Sequence, residues 1–180
     1  MTVNTYYPLL SLIMGRVEPH LGRDQKYFWW TTPYKQMTPL IRPAKNSLLY
    51  MMTYGFPRGD WDDTAWHDWL RDQHGRNGLK TRVVGGRPRN LGLVSKLCRE
   101  GLIDARVVAD PPTTHLIVLT KPKMIWFEGY HRNGSAWNCS FTDKPDKAVY
   151  DAALMICKDM WSQGERLCDH TKVGMRGAQH

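Results

Sequence analysis

The chain has 180 residues, of which 42% are hydrophobic and 23% are charged. This length allows one domain with a hydrophobic core, and the composition argues against a mainly disordered protein. The formal net charge of +8 at pH 7 predicts a surface that attracts polyanions, with nucleic acid as the leading candidate partner.

The first basic residue is Arg16, and the apolar run before it is too short to cross a bilayer. These features predict a cytoplasmic protein with no secretory signal and no membrane contact. The four cysteines are widely spaced and form no C-x-x-C pair, which predicts reduced, structural thiols rather than a metal site.

Prolines interrupt the first part of the sequence often enough to exclude a long helix there. Residues 1–44 are therefore predicted to form a Pro-rich N-terminal arm or cap. The remainder is predicted to divide into a domain at 45–121, a β-hairpin with a helix for packing or dimerisation at 122–168, and a basic tail at 169–180.

Three helices are predicted in the 45–121 domain. The run "KNSLLYMMTYG" predicts a short buried helix that ends at Gly55. Asp60 is suited to be the N-cap of a second helix, with Gly75 past its end. After the extended segment "LKTRVV", Asn90 is the expected N-cap of a third helix, which ends where Gly101 takes a left-handed conformation.

Two hairpins and one more helix follow. "DARVVA" and "HLIVLT" flank "DPPTT", which predicts a hairpin with a proline-stiffened tip. "MIWFEGY" and "AWNCSF" flank Asn133-Gly134, a strong hairpin signal. A long C-terminal helix is predicted from about Pro145 to Trp161, and its wide apolar face is either buried in the core or pairs with a second copy as a homodimer.

The order of three helices and a hairpin, with "LVSKLCREGLID" leading into "HLIVLT", resembles the winged-helix superfamily of DNA-binding domains, including MarR-like and PadR-like regulators. The resemblance covers residues 45–121 and implies an α+β fold with a winged-helix-like helical core. It also implies a double-stranded DNA-binding transcriptional regulator, whose third helix enters the major groove and whose hairpin, the wing, contacts the adjacent backbone. About fifteen residues separate the second and third predicted helices, where the family has a short turn.

Ten residues are predicted to contact nucleic acid. The resemblance places the polar positions of the third helix and the wing at Asn90, Ser95, Lys96, Arg99 and Arg106, and the side chains of Arg, Lys and Ser suit base contacts in a groove. The other positions follow from charge, because the sequence between Asp72 and Glu100 holds seven basic residues and no acidic one. Such a run would repel itself without an anionic partner. The additional positions are Arg76, Lys80, Arg82, Arg87 and Arg89.

Two shorter resemblances concern neighbouring segments. "GGRPRN" resembles part of an AT-hook, which implies an extended Arg87-Pro88-Arg89 reaching a minor groove, although a proline-fixed turn into the helix is the simpler interpretation. Residues 123–161 resemble the end of an AP2 domain, a three-stranded sheet on one helix that contacts DNA through the sheet. Trp126, Arg132 and Trp137 match its strand pattern.

No cofactor, bound metal or catalytic residue is predicted, and nothing in the sequence requires an enzyme. Asp63 and His67 share a helix face and could bind a divalent metal, but helix capping explains such aspartates more simply. Three alternatives stay open: RNA in place of DNA, a metal-dependent nuclease, and a small protein-interaction factor that inhibits or redirects a larger macromolecular machine. The last would use tryptophans such as Trp29 or Trp137 as anchors.

Overall fold

A computed structural model of the chain describes residues 38–39, 42, 45–53, 64–87, 91–111, 115–128 and 139–167. In these residues one mixed sheet and three helices confirm the predicted α+β class. The strands are β1 (Leu48–Thr53), β2 (Lys80–Gly85), β3 (Asp104–Val107), β4 (His115–Leu119), β5 (Met124–Glu128), β6 (Cys139–Thr142) and β7 (Glu165–Arg166). The helices are α1 (Thr64–Asn77), α2 (Leu91–Arg99) and α3 (Lys147–Gln163).

Strand β1 occupies the segment for which the sequence predicts the first helix, so that prediction is wrong. β1 lies inside the sheet, parallel to β2 on one side and antiparallel to β4 on the other. Its Leu49 is 0% exposed in one hydrophobic core, and its Met52 is 1% exposed in another. A strand buried on both faces has a continuous apolar run without a period of two, and that pattern does not distinguish a strand from a buried helix.

The strand order is β6-β5-β4-β1-β2-β3-β7. The predicted wing is therefore also wrong: β3 pairs with β2 and β7, whereas β4 pairs with β1 and β5. The turn signal after β3 was local, but the apolar residues of β4 are buried by pairing with the distant β1. Neither the first helix nor the wing that the winged-helix resemblance implies is found among the described residues.

Alternate residues of the central strands contribute to two separate cores, one on each side of the sheet. Leu49, Val83 and Ala105 pack with buried residues of α1 and α2, and we call this side the α1/α2 face. Tyr50 and Val84 pack with α3, and we call this side the α3 face. Most of the apolar side of α3 is therefore buried within the chain, whereas Met155 is 51% exposed.

The ends of α1 and α2 depend on glycines with positive φ. At α2 the prediction is confirmed: Gly101 has φ +71°, and the Leu102 N–H donates to the Leu97 carbonyl over 3.0 Å, as in a Schellman motif. In α1 the predicted end at Gly75 is wrong, because the helix continues to Asn77. Gly78, with φ +65°, follows the last residue, and it is this residue that provides the left-handed conformation.

Several other predictions have definite outcomes. The extended segment "LKTRVV" is β2, and the pairing of β5 with β6 confirms the second hairpin. Cys98 is in a disulfide, so the expectation of reduced cysteines is wrong there, whereas Cys157 is a free, buried thiol.

The sheet continues across the predicted boundary at residue 121 through the pairing of β4 with β5. Asn133-Gly134, the basic tail and most of the N-terminal arm lie outside the described residues.

Replacing Gly85 with alanine should destabilise the protein, because a Cβ there would lie 2.5 Å from the Thr53 carbonyl oxygen on the adjacent strand. We expect a loss of roughly 2 kcal/mol or more in the free energy of unfolding, measured by urea denaturation. Gly75→Ala is the matched control, since no atom lies within 4 Å of its added Cβ. It should stabilise α1 by about 0.5–1 kcal/mol. Equal effects of the two changes would contradict the close β1–β2 approach.

Candidate nucleic-acid interface

The basic run predicted as one phosphate-contacting surface is divided by the fold. Arg76 is in the last turn of α1 and Lys80 begins β2, whereas Arg87 lies beyond the other end of β2. Six strand residues separate the two groups by roughly 20 Å. Among the described residues, these cations therefore do not form one patch. Arg89 and Asn90 lie outside the described residues.

Arg82 and Arg106 hold α3 against the sheet. Arg82 Nη1 donates to the Tyr50 hydroxyl over 2.8 Å, and Arg106 Nη1 donates to the Trp161 carbonyl over 2.9 Å near the end of α3. The Cζ atoms of the two arginines lie 5.2 Å and 4.6 Å from the Trp161 ring centroid, within the range of a cation–π interaction. Both side chains are half-buried, so their first role is in packing.

Helix α2 does not present the predicted polar face. Ser95 is 8% exposed on the buried side of the helix, beside Val94 and Leu97. Lys96 and Arg99 are exposed, and Lys96 Nζ lies 4.0 Å from a Glu100 carboxylate oxygen. A helix that uses Ser95 for packing cannot place that hydroxyl against a base.

The strand register instead gathers lysines from separate segments at the edge of the sheet where β1 and β2 begin. Lys80 is the register partner of Leu48. At the turn between β4 and β5, the Lys121 carbonyl accepts a hydrogen bond from the hydroxyl of Ser47, which precedes Leu48. We call the following residues the lysine row: Lys45, Lys80, Lys121 and Lys123. All four side chains are exposed.

The charges of the lysine row have few partners nearby. Within the described residues, Lys45, Lys80 and Lys121 form no ion pair. Lys123 Nζ lies 4.7 Å from the Tyr150 ring centroid. Asp151, the nearby acid, is bonded to Lys147 over 2.6 Å, and this contact lowers the pKa of the carboxyl.

Three members of the lysine row, Lys45, Lys121 and Lys123, were not predicted to contact nucleic acid. Lys121 and Lys123 belong to a short turn between "HLIVLT" and "MIWFE", and recognising those segments as a hairpin would have placed the two lysines together. Lys45 joins them only through the pairing of β1, which was predicted to be helical.

The other candidate sites receive no support from the described residues. His67 is 7% exposed, its proposed metal partner Asp63 lies outside the described residues, and the described side chains form no cluster of three metal-ligating groups. The predicted anchors Trp29 and Trp137 lie outside the described residues. Of the described tryptophans, Trp66, Trp126 and Trp161 are at most 8% exposed and Trp69 is half-buried. Trp126 lies in the core on the α1/α2 face, so the AP2-like sheet surface is covered at that position.

None of the protein-family models matches the chain, and no curated protein is significantly similar to it. In the described part of the chain, no helix has both the length and the apolar composition needed to cross a membrane.

Arg106→Ala should destabilise the protein, because it removes a charged hydrogen bond to the end of α3 and a contact with Trp161. We expect a loss of about 1.5–3 kcal/mol in urea denaturation. Arg76→Ala is the control, since Arg76 is exposed and forms only an ion pair with Asp72 on the same helix; it should cost at most about 1 kcal/mol. If both variants unfold like the parent protein, Arg106 does not hold α3.

Tyr150 should make stability sensitive to alkaline pH. Its buried hydroxyl donates to the Leu119 carbonyl over 3.2 Å, and burial raises its pKa. Because the folded-state pKa is raised, this stabilisation is complete below the ordinary tyrosine pKa of about 10 and is lost as pH rises through the folded-state value. Tyr150→Phe should therefore be less stable by about 1 kcal/mol at pH 7.

The difference between Tyr150→Phe and the parent protein should shrink above about pH 10, because only the parent has this tyrosine to ionise on unfolding. Thermal unfolding of both proteins, measured between pH 7 and 11, tests this decrease in the stability difference. A difference that is constant over this range would contradict the assignment.

Proposed function

We propose that this protein binds double-stranded DNA, with the lysine row in contact with the phosphate backbone. The observation that carries the proposal is the register, which brings four exposed lysines from three separate segments to one edge of the sheet. Lysine is a mobile point charge and suits phosphate contacts that carry little sequence information. The net charge of +8 would favour the approach of any such polyanion.

The dimensions of the lysine row are compatible with a DNA backbone. Its members lie at β2, β1, β4 and β5, which are consecutive in the sheet, so the row spans about 14 Å at a strand spacing of about 4.8 Å. A DNA strand rises about 3.4 Å per nucleotide. The row could therefore follow roughly four nucleotides of one strand.

The proposal differs from the winged-helix mode, because it does not place α2 in a groove. Ser95 is buried and the wing is absent from the described residues, so affinity would come mainly from phosphates. A role in transcription, the function that the sequence suggested, would then depend on occupying DNA rather than on base contacts from α2.

Replacing two lysines with neutral glutamine tests the lysine row. Lys80→Gln with Lys121→Gln should weaken binding to a mixed-sequence duplex by about tenfold or more at moderate salt. It should also make the slope of log affinity against log salt shallower by about 1.8, because each lost phosphate contact removes about 0.9. Fluorescence anisotropy at several salt concentrations measures both quantities.

Lys96→Gln with Lys158→Gln is the matched control, since it removes the same charge from the exposed sides of α2 and α3. It should leave affinity and slope nearly unchanged. Equal losses in the two double variants would show non-specific charge attraction, and a flat salt dependence of the parent protein would exclude phosphate binding. Duplex RNA and single-stranded DNA serve as competitors, and tighter binding of either would overturn the choice of double-stranded DNA.

A further inference from the structure

Beyond the lysine row, part of the α3 face lies outside the hydrophobic core that α3 covers. The core beneath α3 is made by residues of β1, β2, β4 and β5, and no residue of β3 or β7 belongs to it apart from the partly buried Val108 that follows β3. The end of α3 reaches β3 through the contacts of Arg106 with Trp161 and Gly164, and among the described elements no other helix belongs to this side of the sheet. In the sheet, β3 and β7 follow β2, so this end of the α3 face lies next to the Lys80 end of the lysine row.

The register places basic side chains on this end of the α3 face. Arg82 is on the same face as Tyr50, its register partner, and Arg106 is on the same face as Val84. Arg166 is the register partner of Arg106 on β7, and Lys80, two residues before Arg82, is also on this face. On this face the strands carry four cations and one carboxylate, that of Asp104 opposite Arg82, while Glu165 of β7 is on the opposite face with Val107. We call Arg82, Arg106 and Arg166 the arginine face.

Two of these guanidinium groups are held in place before any ligand arrives. The Trp161 ring contacts both Arg82 and Arg106, and hydrogen bonds to Tyr50 and to the end of α3 fix the two side chains. Arg82 is not ion-paired with Asp104 or with any other described carboxylate. Guanidinium groups in fixed positions bind phosphate oxygens in pairs and lose little side-chain entropy in doing so.

We infer that the arginine face continues the lysine row, so that one DNA backbone passes from Lys123 across Lys80 to Arg166. This inference rests on the proposed function. From β5 to β7 the surface crosses six consecutive strands, or about 24 Å at about 4.8 Å per strand. That length matches the rise of roughly seven base pairs, compared with about four for the lysine row alone. Arg82 and Arg166 contact phosphates, and Arg106 is a positioning residue.

Arg166 is the position to change, because it is exposed, whereas Arg82 and Arg106 are half-buried and contact Trp161. Arg166→Gln should weaken binding to a mixed duplex of about ten base pairs by roughly three- to tenfold and reduce the salt slope by about 0.9. Arg99→Gln removes an exposed arginine from α2, a helix that the proposed binding mode leaves outside the interface, and should do neither. Arg166→Lys keeps the charge, so it should retain the slope but lose part of the affinity.

Duplex length provides an independent measurement. The affinity of the parent protein should increase up to about seven base pairs, and the affinity of Arg166→Gln should stop increasing earlier. If Arg166→Gln behaves like Arg99→Gln while Lys80→Gln with Lys121→Gln still loses binding, the arginine face is overturned and the proposed function stands. If the parent protein shows no salt-dependent binding, both are overturned. Equal melting temperatures of the Arg166 and Arg99 variants confirm that the comparison concerns binding.

Discussion

Burial of β1 on both faces is the constraint on which the rest of the structure depends. A strand with apolar side chains on both sides needs a layer against each of them, and its backbone needs a partner strand on each edge. The helices α1 and α2 cover one face of β1, and α3 covers the other. Strands β2 and β4 pair with its two edges. The sheet therefore grows outward from β1 in both directions, and every basic residue of interest takes its place relative to that strand.

Features that depend on neighbouring residues could be predicted from the sequence. Gly101 ends α2 as expected because a left-handed residue is needed just after a helix and glycine adopts it without strain. The pairing of β5 with β6 also follows from local signals. The helical assignment of "LLYMMT" was wrong because its hydrophobicity reports burial on both sides, and burial alone does not specify a backbone conformation. The pairing of β4 with β1 joins residues 64 to 70 positions apart, which no local pattern encodes.

The same limit explains what was missed at the candidate site. A list of basic residues does not distinguish an arginine that stacks on a tryptophan from a lysine in solvent. The sequence does not show that Arg82 and Arg106 contact Trp161, nor that Lys121 belongs to the lysine row. The difference is set by the two-residue alternation along each strand together with the position of α3. Both require the sheet to be known first.

The assembly of the lysine row from segments far apart in the sequence also connects ligand binding with folding. Lys45, Lys80 and Lys121 are separated by about 35 to 40 residues each, and only the paired strands bring them together. An unfolded chain keeps the charges but disperses them, so a polyanion that needs several of them at once would bind the native state more tightly. By mass action such a ligand raises the free energy of unfolding as its concentration increases. Heat resistance of the protein would then report on the occupancy of its own surface.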